Sequence, residues 1–393
     1  MENTVPWSDL PEELWCMIGK KLDTPTDVCR FRSVCSSWRS LIPPLPHGNN
    51  PPLFPLQLPL RPGQKPAFVT RSTIYRLQPP EESGPAFGWL VKLEGSGEPG
   101  RPLRLLNPLS KEPIKYKPDF FPSVLNTLDF RVTEIVKEYA VEVDDGAIFR
   151  RVAKVALFPD SAWADAGECA VVGILEEGKL GHWRYGDEEW SVIEGQDCHF
   201  DDVMVYKGQF YAVDRLGTVS WINPSFQVQR FSPHMCGGGD RKHMVEAGGD
   251  LYVVDRYLGR GAVTRYQNNR EVGLETVKFI VYRLDQERGT WDEVRRLGDV
   301  ALFLGDHSCF SVSVQEFGGC VGNCIYFTEL SNFYGVKVHV FCMEDHSIKR
   351  AAFSPDYLRI LWPPPAWISP SPCPLDPKNM RTVYSLIWNG FDL

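Results

Sequence analysis

The side chains best suited to chemistry in this 393-residue chain are scattered pairs of cysteine and histidine. These pairs are His307 with Cys309, Cys320 with Cys324, Cys342 with His346, and the neighbours Cys198 and His199. None of them has the closely paired C-x2-C spacing of a structural zinc site. Neighbours in a strand point to opposite faces of a sheet, which argues against a thiol catalyst at 198–199. We therefore predict no metal, no cofactor and no catalytic residue.

Two further patterns invite a chemical interpretation. Residues 236–240 are rich in glycine but lack the Gly-Lys-Ser/Thr ending of a phosphate-binding loop. The acid pairs Asp144–Asp145 and Asp201–Asp202 occur where turns are expected, and solvated acids are the ordinary case there. All three segments are therefore predicted to be loops.

The charge, the apolar runs and the cysteine count argue against several classes of protein. The net charge is −8, from 42 basic and 50 acidic residues, which argues against general binding of nucleic acid. No apolar run is long enough to span a membrane, and the first residues lack the basic-then-apolar order of a signal peptide. Eleven cysteines, an odd number, suggest reduced thiols. We expect residence in the nucleus, the cytoplasm or both.

The elements that must position any site fall into three segments: a helical segment at 5–44, a proline-rich linker at 45–66 and a β-rich domain at 67–393. Nine of the 24 residues from 43 to 66 are proline, which fits neither a helix interior nor a central strand. From residue 67 onward, short apolar runs alternate with Gly, Asn, Asp and Pro, which is typical of an all-β domain.

The helical segment carries more apolar surface than it can bury. Leu14, Ile18 and Leu22 repeat every four residues, and a second series from Val28 to Trp38 follows at spacings of three and four. These spacings predict two amphipathic helices. A unit of about 36 residues rarely holds a sufficient core alone. Either the chain's own β domain or a partner protein must cover the remainder.

The same segment resembles an F-box. The resemblance rests on Leu10-Pro11-Glu12-Glu13-Leu14, on Ile18, and on the run Val-Cys-Arg-Phe-Arg-Ser-Val-Cys-Ser-Ser-Trp-Arg-Ser at 28–40. Ser36 and the early Pro43-Pro44 depart from the family pattern. The resemblance implies docking to a Skp-type adaptor and, through it, to a cullin–RING ubiquitin ligase. The matching adaptor-contact and hairpin-core positions are Leu10, Pro11, Leu14, Ile18, Val28, Cys29, Val34 and Trp38.

Internal similarity indicates the architecture of the large domain. Residues 206–214 and 247–255 share the order strand, glycine turn, strand, and lie about 40 residues apart. Tight turns followed by Trp190 and Trp291 look like repeated outer strands. A period in the forties with several strands per unit favours propeller blades over a sandwich. The length allows six or seven blades.

Several motifs in this domain resemble the kelch-like propellers of plant F-box proteins of the KIB or SKIP type. They are Leu105-Leu106-Asn107-Pro108, Asn223-Pro224, and Leu304-Gly305-Asp306-His307-Ser308-Cys309-Phe310-Ser311-Val312. The resemblance implies an α+β multidomain protein, in which an all-α F-box hairpin precedes an all-β propeller that binds the protein to be ubiquitylated.

The sequence also offers a candidate contact surface for that target protein. Arginine and tyrosine are favoured in binding hot spots, and they cluster in a segment that interrupts the repeat. The candidates are Arg256, Tyr257, Arg260, Arg265 and Tyr266. A solvated hairpin tip with incidental charge is the alternative for this segment.

Three functions remain open for the whole chain. The favoured one is the substrate receptor of an SCF-type ligase, which is not itself an enzyme. The second is a propeller that binds or converts a small molecule beneath a helical cap. The third is an F-box scaffold or decoy without a degraded target.

Overall fold

The computed structural model describes residues 10–22, 24–42, 54–58, 66–78, 88–95, 103–114, 130–143, 152–195, 198–235, 237–266, 269–317, 320–329, 337–351 and 360–361. Within these ranges, the side chains of 25–26, 166, 261–266 and 269–273 are excepted. No helix in the described ranges is long and apolar enough to cross a membrane.

Three helices, not two, form the N-terminal helical unit (residues 10–42). They are α1 (Glu12–Gly19), α2 (Pro25–Ser33) and α3 (Ser36–Leu41). Thr24 caps α2, because its hydroxyl accepts the Asp27 N–H at 3.0 Å. The predicted second helix is interrupted at Cys35, whose backbone is extended and whose Sγ accepts the Trp38 N–H at 3.4 Å.

An aromatic cluster forms the core of this unit. Trp15, Phe31 and Ile42 are buried, and the Trp38 ring packs onto Trp15 and Phe31 with centroids 4.0 and 4.6 Å apart. A Cβ at Gly19 would overlap the side chain of Ile42, so the close approach of α1 to the end of α3 requires glycine there.

Five antiparallel-rich sheets follow, so the described part of the chain has five blades rather than the six or seven expected. Blade I contains β1 (Leu56–Gln57), β2 (Ala67–Gln78), β3 (Trp89–Glu94), β4 (Arg104–Leu106) and β5 (Arg131–Val143). Blade II contains β6 (Val152–Phe158), β7 (Ala170–Leu175), β8 (Leu180–Arg184) and β9 (Ser191–Val192). Blade III contains β10 (Phe200–Tyr206), β11 (Gln209–Asp214), β12 (Val219–Ile222) and β13 (Val228–Arg230).

The two remaining blades complete the propeller. Blade IV contains β14 (Arg241–Ala247), β15 (Asp250–Tyr266), β16 (Asn269–Asp285) and β17 (Thr290–Val294). Blade V contains β18 (Val300–Leu304), β19 (Cys309–Ser313), β20 (Cys324–Thr328), β21 (Val338–Cys342) and β22 (Ile348–Arg350). Ile74 and Leu90 of blade I share a core with Phe303 and Tyr326 of blade V, which closes the propeller.

Blades I and V do not follow the simple inner-to-outer order of the others. In blade I, β5 pairs with β2 after the chain has already passed through β3 and β4. In blade V, β18 lies between antiparallel β19 and parallel β20. Blade I therefore extends from Leu56 to Val143, about two repeat periods, so the chain length overestimated the number of blades.

Part of the predicted linker belongs to the propeller. β1 pairs with β2, and Phe54, Leu56 and Leu58 are buried in the core between blades I and II. The pattern Phe-Pro-Leu-Gln-Leu alternates as an edge strand does, and proline is tolerated at such an edge. The boundary expected at residue 66 is therefore too late. The strand predicted at 383–388 lies outside the described residues.

Candidate docking surface and the propeller axis

Four large apolar side chains of the N-terminal helical unit face solvent. Leu14 is 43% exposed, Met17 63%, Ile18 36% and Val34 59%. Leu14, Met17 and Ile18 are spaced by three and four residues on α1 and so share one side of that helix. We call Leu14, Met17, Ile18 and Val34 the docking surface. These four side chains remain exposed although the aromatic core of the same unit is buried.

The structure sorts the eight positions taken from the F-box pattern into two groups. Pro11, Leu14, Ile18, Cys29 and Val34 are exposed. Val28 is fully buried, and Leu10 and Trp38 are half-buried and pack against the same core. The second group therefore supports the unit from within. Met17 was missed, although its spacing of three from Leu14 was the signal that could have found it.

A second side of the unit is covered by the propeller. Ala162 and Trp163, in the loop between β6 and β7, pack against the core of the unit. The Trp163 indole N–H donates to the Leu22 carbonyl at 3.0 Å, and Arg30 donates to the Val132 carbonyl at 2.8 Å. The unit thus rests on its own β domain while leaving the docking surface open.

Arg256 is not a surface residue, which corrects the prediction that it contacts the target. Arg256 is 3% exposed. The guanidinium donates to Thr276 Oγ1 at 2.8 Å and to the Thr328 carbonyl at 2.9 Å, and it pairs with Glu329 at 3.1 Å. The side chain therefore joins blade IV to blade V.

Tyr257 and Arg260 lie on a two-stranded ribbon that leaves the propeller. β14 pairs with β15 only as far as Arg256, whereas β15 and β16 continue to pair with each other to Tyr266 and Asn269. Arg260 is exposed and Tyr257 is half-buried. The side chains of Arg265 and Tyr266 lie outside what the structure describes.

The ribbon and the helical unit occupy opposite faces of the propeller. β6 ends at Phe158 and leads into the loop that holds the unit. The ends of β10 and β14 lie on that same face, where the Tyr206 hydroxyl donates to the Gly249 carbonyl at 2.7 Å. β15 starts beside Gly249 and crosses to the other face before the ribbon begins.

Polar side chains line the axis of the propeller. The innermost strands β5, β6, β10, β14 and β19 lie against one another in sequence around it. Each contributes a polar or ionisable side chain: Glu138, Lys154, Asp202, His243 and Cys309. A cavity of about 300 Å³ lies among these strands and is lined by Glu138, Lys154, His307, Ser308 and Cys309.

Comparison with known proteins agrees with this architecture. Residues 65–353 match the KIB1-4 beta-propeller family, and residues 7–45 match the F-box-like family. The chain belongs to the F-box proteins with a KIB1-4 β-propeller. It is 31% identical to the F-box protein SKIP23 of Arabidopsis thaliana over 93% of this chain and 96% of that protein. Another Arabidopsis thaliana F-box protein is 35% identical over 82% of this chain and 89% of its own length.

The axial charges of this KIB1-4 propeller are paired with one another. Lys154 pairs with Asp202, and Lys92 pairs with Glu138, whose other oxygen accepts the Ser308 hydroxyl at 2.7 Å. Burial alone would raise the pKa of Glu138, but the Lys92 ammonium and the hydrogen bonds from Lys92 and Ser308 outweigh it and lower that pKa. The Glu138 carboxylate is therefore held in its charged form.

Two histidines and a cysteine at the axis are held neutral. Burial lowers the pKa of His307 to about 4 and that of His243 well below its ordinary value. Burial likewise raises the pKa of the Cys309 thiol to about 12. At neutral pH these groups therefore carry no charge.

Asp202, His243 and Cys309 come together although the sequence did not link them. Their nearest ligand atoms lie within 4.8 Å of one another. The Lys154 ammonium already pairs with Asp202, whose oxygens also accept the Val203 and Met244 N–H groups at 2.7 and 2.9 Å. A divalent cation would meet that ammonium and would need an ionised Cys309, so the chemistry of this cluster fits an internal ion pair better than a metal.

The glycine-rich segment is a loop, as predicted, and it surrounds a carboxylate of the protein itself. The Gly239 N–H donates to Asp255 at 3.0 Å, and the Lys242 ammonium pairs with the same carboxylate at 2.7 Å. A Cβ at Gly237 or Gly239 would overlap the Asp255 carboxylate. Asp255 thus occupies the place that an anionic ligand would take in a glycine-rich binding loop.

Proposed function

We propose that this F-box protein is the substrate-recognition subunit of an SCF-type cullin–RING ubiquitin ligase. The N-terminal helical unit docks on a Skp-type adaptor, and the propeller binds the protein to be ubiquitylated. Ubiquitin transfer is performed by other subunits, in the nucleus, the cytoplasm or both. The family assignment supports the pairing of an F-box with a propeller.

The observation that carries this proposal is the docking surface. A small unit with a complete aromatic core has no internal need for Leu14, Met17, Ile18 and Val34 at its surface. Clustered apolar side chains exposed to water mark sites of protein interaction. A stable adaptor contact buries about 1,600 Å² in total, which a helical unit of this length can provide together with the residues around this surface.

The ribbon face is the proposed side for the target protein. The helical unit and its adaptor occupy the other face, so only the ribbon face is free of both. Arg260 is exposed there, and Tyr257 lies at the base of the ribbon. Arg265 and Tyr266 continue the same ribbon strand and remain proposed contact residues.

The proposal places catalysis outside this chain. An enzymatic propeller would need unpaired acids or bases at its axis, whereas Lys154, Asp202, Lys92 and Glu138 are paired with each other. Three further axial groups, His243, His307 and Cys309, are held in their neutral forms by burial.

Co-purification with a Skp-type adaptor tests the docking step. Leu14→Lys places a charge in the docking surface and is expected to abolish co-purification while the melting temperature of the propeller stays unchanged. Leu216→Lys is the matched control, because Leu216 is a propeller residue that is 59% exposed. Retained binding by Leu14→Lys would contradict the proposal.

A reconstituted ligase separates a receptor from a scaffold or decoy. A partner captured by the propeller should be ubiquitylated when adaptor, cullin, RING subunit and charged ubiquitin-conjugating enzyme are supplied. Capture with no ubiquitylation would favour the decoy.

A further inference from the structure

The contact between the helical unit and the propeller has two anchoring points on different blades. On blade II, Trp163 donates to the Leu22 carbonyl at 3.0 Å, and Ala162 is buried in the core of the unit. On blade I, Arg30 donates to the Val132 carbonyl at 2.8 Å. Two separate points leave only rotation about the line that joins them, and the packing of Ala162 and Trp163 against the core of the unit opposes that rotation.

The loop that carries Trp163 is itself held firmly at its root. Asp160 pairs with Arg71 at 2.9 Å and accepts the Tyr139 hydroxyl, and its backbone carbonyl accepts the Lys137 ammonium. All three partners belong to β2 and β5 of blade I. The loop root is therefore tied across two blades before the chain reaches Trp163.

The rest of the loop is closed by short-range hydrogen bonds. The Trp163 N–H donates to Ser161 Oγ at 3.3 Å, and the Gly167 N–H donates to Asp165 Oδ1 at 2.8 Å. The Cys169 thiol donates to the Pro159 carbonyl at 3.1 Å, which links the two ends of the loop. Segments with this density of internal bonds open rarely compared with solvated loops.

We propose that Trp163 is a positioning residue that holds the helical unit at one fixed angle to the propeller. The docking surface lies outside this contact and remains exposed, so the same unit is held by the propeller on one side and available to the adaptor on another. The helical unit is then held by its own β domain at two contacts, in addition to its connection along the chain.

The benefit of a fixed angle rests on the proposed function. With the helical unit fixed on the propeller, a target on the ribbon face and an adaptor on the unit would be held in one defined geometry. An acceptor lysine held in that geometry meets the charged ubiquitin at a higher effective concentration than one on a loosely hinged receptor.

The test measures the angle directly in the full-length chain, without adaptor. Spin labels on unnatural amino acids at the exposed positions Ser37 and Gln229 report the distance between the unit and blade III. The unaltered chain and the control Trp291→Ala should give one narrow distance distribution. Trp291 is a half-buried tryptophan of blade IV in a different core cluster, away from both labels. Trp163→Ala should broaden the distribution about twofold or more.

Further variants separate orientation from folding. Trp163→Phe keeps the apolar contact but loses the N–H donor, so it should broaden the distribution less than Trp163→Ala does. Adaptor affinity should stay unchanged in all of these variants, since the docking surface is untouched. An unchanged distribution in Trp163→Ala would overturn the proposal. Loss of helical circular dichroism in Trp163→Ala would also overturn it, because the residue would then fold the unit rather than orient it.

The two proposals fail in different ways. If the unaltered chain does not bind an adaptor, the proposed function is wrong. The distance distributions still decide the role of Trp163 in that case.

Discussion

Trp15 and Trp38 pack against each other across the N-terminal helical unit, with ring centroids 4.0 Å apart. Trp15 is buried, and Trp38 lies half-buried between it and Phe31. The contact joins α1 to α3 and so closes the unit. Trp38 therefore supports the proposed docking surface through the fold of the unit, in contrast to Leu14, whose exposed side chain can touch a partner.

Trp38→Ala should unfold the helical unit and leave the propeller intact. Removing a core aromatic costs about 3–5 kcal/mol, which a unit of this size cannot lose. Hydrogen exchange should show lost protection in α1 and α3 with no change in the blades. Val34→Ala is the control, because truncation of an exposed residue changes stability by about 0.5 kcal/mol or less. Full protection of α1 in Trp38→Ala would refute this role.

Lys92→Met should destabilise the propeller strongly. Lys92 and Glu138 are both buried, so removal of the ammonium leaves a carboxylate charge without its partner. Breaking a buried pair in this way costs about 3–5 kcal/mol in the free energy of unfolding, as measured with urea. Arg283→Met breaks the exposed Arg283–Asp250 pair and should cost about 1 kcal/mol or less. Equal effects of the two changes would contradict the account of the axis.

The stability of the propeller should fall as pH is lowered from about 6.5 towards 4. In the unfolded chain, histidine takes up a proton near pH 6.5. In the folded chain, burial lowers the pKa of His307 to about 4 and that of His243 well below its ordinary value. The unfolded state therefore binds more protons in this window, and each histidine lowers the free energy of unfolding by up to about 1.4 kcal/mol per pH unit.

Urea titrations at several pH values between 7 and 4 measure this slope. His307→Gln should reduce the slope of the free energy of unfolding against pH by the contribution of one titrating group, since glutamine does not titrate. Glu138 acts in a different pH range, because its pKa is lowered in the folded chain. Its stabilising contribution to the free energy of unfolding is present above the unfolded pKa of about 4.3 and is lost only as pH falls below that value. A slope that is unchanged in His307→Gln would exclude His307 as a source of the acid sensitivity.

Gly239→Ala should destabilise blade IV, whereas Gly238→Ala should not. A Cβ at Gly239 would overlap the Asp255 carboxylate, while a Cβ at Gly238 meets nothing within 4 Å. Gly239→Ala must therefore displace the loop from the Asp255–Lys242 pair, at a cost of about 1–3 kcal/mol. Thermal unfolding of the two variants compares the same substitution at neighbouring positions. Similar melting temperatures would show that the loop does not need close contact with Asp255.

The features that the sequence predicted well are local. The glycine turns at 207–208 and 248–249 join innermost strands to their neighbours, and Trp291 lies on the outermost strand β17. The apolar spacing of Leu14 and Ile18 indicated an amphipathic helix, and α1 has these residues on its open side. Short-range spacing suffices for such predictions because helix and strand periods act over a few residues.

The features that the sequence missed depend on contacts between distant segments. The blade count was wrong because blade I takes up β5 only after β3 and β4 and so extends from Leu56 to Val143. Arg256 looked like a surface residue, but its partner Glu329 is supplied by blade V. Lys154 stands within the apolar run of β6, which is a local signal of a buried charge, yet only the fold brings Asp202 to it.

Hydroxyl-radical footprinting of the chain with and without a purified Skp-type adaptor tests the central claim most directly. Met17 is the most exposed apolar residue of the docking surface and oxidises readily. The account predicts that the adaptor protects Met17, while Leu216 and Val192, which are exposed on the propeller, keep their reactivity. Unchanged oxidation of Met17 in the presence of a saturating adaptor would contradict it.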